Sequence, residues 1–175
     1  MSNDTTGKTF HEALWTLIKD TRFALVTHRH PNGHLHAHPL TTQNRTLEPG
    51  EPLYFFVSRK SELGQRIQAD GNVCVAYGNL KDDSWVSISG NATVSEDMAK
   101  KKELFNALAK AWFPGGYEDP DLELMKVEIL DAEYWNVHES KVTQLLKMAT
   151  AAVTGNKPEM GEHREMHKDA SESVH

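Results

Sequence analysis

The chain has 175 residues, 38% hydrophobic and 25% charged, with a formal net charge of −6, which suits one globular domain plus a tail. A pI near 5.9 argues against nucleic acid as the main partner, and no apolar run approaches the ~20 residues that cross a bilayer. The single cysteine, Cys74, excludes an intrachain disulfide, and the start, MSNDTTGKTF, lacks the basic-then-apolar pattern of a leader, so a cytoplasmic protein without a membrane partner is expected.

Residues 1–9 are expected to be flexible, and the globular domain to run from 10 to 138. Phe10, Ala13, Leu14, Leu17 and Ile18 share one helical face within 9–20. RFALVTHRH then reads as a strand, Pro31-Asn32-Gly33 as a turn, and HLHAHPLTTQ as the returning hairpin arm. LYFFV, at 53–57, is short and apolar enough for a buried strand, and SRKSELGQRIQAD continues at helical spacing. NVCVAYG alternates, and SWVSISGNATV alternates more clearly: Val86, Ile88, Ala92 and Val94 face one way, while Trp85, Ser87, Ser89, Asn91 and Thr93 face the other.

Ser95, followed by two acids, is a suitable start for a helix that would bury Leu104, Phe105, Leu108, Ala109 and Trp112 and stop at FPGG. LELMKVEIL and DAEYWNV form a last strand and its aromatic continuation. Beyond 139, SKVTQLLKMATAAV reads as an amphipathic helix and the rest as a mobile polar tail. About six strands broken by three short helices make a small, mainly β, antiparallel barrel.

Three features could carry chemistry. Five of the ten histidines fall within 28–38, and His34, His36 and His38 alternate, so they share a strand face. Imidazoles so arranged can bind zinc, copper or nickel. Steps of ~6–7 Å along a strand, however, require a ligand from elsewhere. A two-residue Asn32-Gly33 turn would also set Arg29 opposite His36, a fixed cation opposing a divalent metal. No metal ligand is therefore assigned, and the plainer reading is a polar hairpin face. Second, Ser58, Arg59, Lys60 and Ser61 open a helix after a buried strand, which is a cradle for phosphate or else an ordinary N-cap among solvated bases. Third, Trp112 and Phe113 stand before Pro114-Gly115-Gly116, placed to wall a planar ligand or to meet a second subunit. No nucleophile motif or dinucleotide fingerprint appears.

VSISGNATV, AWFPGG, DPDLELMKV and AEYW, in this order and spacing, make the chain resemble the pyridoxamine 5′-phosphate oxidase-like flavin-binding split barrels, and within them the general stress protein subgroup. The likeness runs from about residue 10 to 138, with VTGNKPEMGEH similar to the subgroup's ending. It implies a six-stranded antiparallel split β-barrel with short peripheral helices, forming a homodimer with FMN, or another flavin, at the interface. It also implies a flavin-dependent oxidoreductase acting on an unspecified small molecule. A flavin-binding or storage protein without turnover, a barrel that has lost its cofactor and a histidine-dependent metal-binding barrel stay open as alternatives.

By the resemblance, His38, Pro39, Leu40, Thr41 and Gln43 run along the flavin; Phe55, Phe56 and Val57 lead to Ser58, Arg59, Lys60 and Ser61 at the phosphate; Trp112 and Phe113 cover the ring. Four positions depart from the subgroup: His38 stands for an arginine, Leu40 for a methionine, Val57 for a threonine, and Leu63 for the phosphate lysine. Losing a cation there weakens the hold on a dianion.

Overall fold

The computed structural model describes residues 9–136 and 162–167. Helix α1 (Phe10–Ile18) begins at a capping box: the Thr9 hydroxyl accepts from the Glu12 amide and the Glu12 carboxylate accepts from the Thr9 amide. It lays Leu14 and Ile18 on a barrel built from β1 (Phe23–Arg29), β2 (Leu35–Thr41), β3 (Leu53–Ser58), β4 (Asn72–Asn79), β5 (Ser84–Ser95) and β6 (Leu122–Asn136). The order β2-β1-β4-β5-β6-β3 is antiparallel throughout. Its two ends meet where Thr42 bridges Phe55 and the Gln43 amide donates to the Tyr54 carbonyl at 2.8 Å. This is the expected six-stranded antiparallel split barrel.

The alternation read along β5 holds, with Val86, Ile88 and Ala92 buried and Trp85, Ser89, Asn91 and Thr93 exposed. Opposite Gly90 the register shifts, leaving Leu130 as the extra residue of β6. A Cβ on Gly90 would run into Val127, so the bulge needs glycine.

Short helices α2 (Glu62–Arg66), α3 (Met98–Leu104) and α4 (Ala107–Trp112) lie outside the barrel. The single helix expected after Ser95 is two. Asp97, not Ser95, caps α3, and the Asn106 side chain accepts from the Leu108 and Ala109 amides to start α4. The break re-aims the second half, so that Leu104 and Ala109 are buried while Leu108 and Trp112, expected on the buried face, are exposed. Two apolar clusters result: the barrel core around Phe55, and a smaller one joining Phe56, Leu122 and Leu124 to α3, α4 and Phe113.

Two further expectations are corrected. The β1–β2 loop has three residues: the His30 amide donates to His34, and Gly33 takes φ +87°, as three-residue hairpins with a left-handed last position require. His28 therefore lies opposite His36, and Arg29 faces Leu35. Within the polar stretch expected to be mobile, Glu162–His167 form strand β7, paired with Asp131–Asn136. The helix expected from 139 lies outside the described residues, and no helix among the described residues is long and apolar enough to cross a membrane.

Candidate functional site

A cavity of ≈ 370 Å³ opens where the end of the β1–β2 hairpin meets β3, α2 and α4, within the range of small-molecule pockets. It sits between the two apolar clusters. Val57, Leu63 and Leu40 come from the barrel side, and Phe56, Ala109 and Phe113 from the helix side. His38, Pro39, Thr41 and Gln43 form the β2 wall, and Ser58 and Ser61 the polar end.

Of the residues assigned from sequence, the structure brings together His38 through Thr41, Gln43, Phe56, Val57, Ser58, Ser61, Trp112 and Phe113. Phe55 lies instead in the barrel core with no exposure, and Arg59 and Lys60 stand off the lining. Phe23, Leu63, Leu108 and Ala109 join the wall without having been singled out as lining residues. The signal for Phe23 was the hairpin register, which pairs it with Thr41; a three-residue loop reveals it.

Gln43 links the wall to the helix end. Its amide nitrogen donates to the Thr41 carbonyl at 3.0 Å, and its oxygen accepts from Asn106, the α4 cap, at 2.9 Å. At the polar end the hydroxyls are already engaged. Ser58 Oγ donates to Asp121 Oδ2 at 2.7 Å, and Ser61 Oγ donates to the Ser58 carbonyl at 2.7 Å while accepting from the Gly64 amide. The Lys60 amide donates to Asp121 Oδ1 at 3.2 Å, and Arg59 Nε to Glu123 Oε1 at 3.0 Å. The hydrogen bond from Ser58 leads the causes that hold the Asp121 carboxyl below its ordinary value. On the other wall, burial and then the neighbouring His28 push the His38 imidazole below its ordinary value.

These residues fit a flat, largely apolar ring at the Leu40, Phe56, Val57 and Phe113 walls. They fit a dianionic phosphate less well. Among the described residues no lysine or arginine lines the cavity, and two carboxylates, Asp121 and Glu123, hold the groups that would otherwise meet the anion.

Comparison with known proteins agrees with this geometry. The general stress FMN/FAD binding protein of Xanthomonas citri is 29% identical, with a TM-score of 0.62 over 75% of this chain and 91% of that one. General stress protein 26 of Bacillus anthracis has the same fold at 24% identity, with a TM-score of 0.61 over 71% of this chain and 92% of that one. Protein bli-3 of Neurospora crassa is 24% identical over 136 residues, 73% of this chain and 65% of that protein; the chain spans just under two thirds of that relative. The family model described as pyridoxamine 5′-phosphate oxidase like matches residues 10–159, which takes in the barrel and every wall of the cavity. The chain belongs to the pyridoxamine 5′-phosphate oxidase-like family.

Proposed function

We propose that this protein binds FMN in the cavity between β2, β3 and α4, as a homodimer whose second subunit completes the cleft, and that it serves flavin-dependent redox chemistry on a small molecule. One observation carries the reading: a cavity with apolar and aromatic walls and a hydroxyl-rich end, set in the fold of the Xanthomonas FMN/FAD binding relative. Leu40, Phe56, Val57 and Phe113 would pack against the ring, and Trp112 would cover it from the rim. Ser58 and Ser61 would turn toward the phosphate, with the Lys60 ammonium and the remaining N–H groups of Arg59 as the nearby cations. A bound flavin supplies the electron transfer, and the protein orients it and sets its surroundings. The support for a dimer is the rim itself, where Trp112 is 79% exposed and Phe23 55%. Apolar groups grouped at a cavity mouth mark a surface that another body covers.

The test is an FMN titration followed by flavin fluorescence, on wild type and on Trp112→Ala. Because Trp112 is exposed, its removal leaves the fold intact. Loss of one aromatic face should weaken binding roughly tenfold, equivalent to ~1–1.5 kcal/mol. Equal affinities would remove Trp112 from the site, and no binding by wild type would end the reading.

A further inference from the structure

A second group of chemically capable side chains lies at the β1–β2 hairpin and reaches the cavity wall only through His38. The three-residue loop sets His28 opposite His36, strand alternation puts His38 on the face of His36, and α2 brings Glu62 over both. His36 Nδ1 lies 2.6 Å from Glu62 Oε1, His28 Nε2 lies 3.3 Å from the same oxygen, and His38 Nε2 lies 3.1 Å from His28 Nε2. The ligand atoms of His28, His36 and Glu62 all fall within 4.8 Å of one another.

We propose that His28, His36 and Glu62, joined by His38, form a binding site for a divalent transition-metal ion of the zinc class. The donor set decides the class: imidazole nitrogens with one carboxylate suit zinc, cobalt, nickel or copper over calcium or magnesium. The spacing agrees. Arms of ~2.1 Å in a tetrahedron put neighbouring ligand atoms about 3.4 Å apart, against the 3.3 and 3.1 Å observed here. The shorter His36–Glu62 separation has room to open, since both side chains are more than a third exposed.

The group is also held in place before any ion arrives. His28 is 1% exposed on β1 between β2 and β4, its ring stacks on His38 with centroids 5.1 Å apart, and His30 stacks on His36 at 4.6 Å. His28 Nδ1 is buried without a hydrogen-bond partner among the described residues. Packing alone is better met at such a position by an apolar residue; an imidazole whose Nε2 is aimed at two other ligand atoms has a use for its nitrogen. The cation expected opposite His36 is not there, because Arg29 pairs with Leu35 and its side chain alternates to the other face from His28.

The site is tested on the full chain after chelator treatment, by calorimetric titration with Zn²⁺ and by visible absorption with Co²⁺. The expected result is one ion per chain and the intense bands of four-coordinate cobalt. His36→Ala and Glu62→Gln should each weaken binding at least about tenfold. His34→Ala, at an exposed residue just before β2 and outside the group, should leave it unchanged. Absence of stoichiometric binding by wild type would overturn the proposal. So would equal affinities in wild type, His36→Ala and Glu62→Gln, which would reduce the group to a hydrogen-bonded cluster and assign the ion to other histidines.

Discussion

Ser58 shows how one hydroxyl can set the charge at the mouth of the cavity. Its hydrogen bond leads the causes that keep the Asp121 carboxyl below the ordinary 3.8, so an anion stands beside the place assigned to phosphate. A carboxyl lowered in the folded state contributes stability above its unfolded value, and that contribution is lost as pH falls through the folded value. Asp121 should therefore titrate below 3.8 by carbon-detected NMR, and Ser58→Ala should move it up toward 3.8. An unmoved titration in the variant would show that Ser58 does not set it. At this scale the sequence was partly legible. Serines and bases after an apolar strand were visible as a group, but the carboxylates that engage them come from the start of β6, more than sixty positions along the chain. No local pattern announces that meeting.

Among the elements, the closure of the barrel is the most sensitive junction. Thr42 forms the single β-bridge between the hairpin and β3 among the described residues, and its hydroxyl lies 2.7 Å from the Tyr77 phenol on β4. Burial of the phenol raises its pKa well above the ordinary 10.0. Thr42→Val leaves that buried hydroxyl unpaired, at an expected cost of ~1–3 kcal/mol in a urea unfolding series. Tyr77→Phe should cost a similar amount, and the double variant clearly less than the sum. Strict additivity would mean that the two hydroxyls act independently.

The strands themselves were readable because each side chain class repeats every second residue, and β5 follows that pattern almost without exception. The junctions were harder. Gly33 signals a left-handed position but not whether the loop has two residues or three, and that one residue decides whether Arg29 or His28 meets His36. Asn106 is a good helix cap, yet it lies inside an apolar pattern that carries on across the break. β7 is polar except for Met166 and gains its structure from pairing with β6, which its own composition does not show.

For the whole molecule, the fold came through clearly and the site in outline. The resemblance carried by VSISGNATV, AWFPGG and AEYW led to the right architecture, because those segments form the long strands and the helix corner that the barrel cannot do without. Of these segments only AWFPGG reaches the cavity, through Trp112 and Phe113; the other assigned lining residues lie in 38–43 and 56–61. Its boundary was less legible, since Phe55 and Phe56 are neighbours on one strand and only the packed barrel shows that Phe55 belongs to its core. On the proposed function, the exposed Phe23, Leu108 and Trp112 at the rim are the surface that a second copy would cover around the flavin. Size-exclusion chromatography of the FMN-loaded protein, with absorbance read at the flavin and protein bands and mass by light scattering, tests this directly. The account predicts a dimer carrying one flavin per subunit; a monomer that emerges colourless from excess FMN would contradict it.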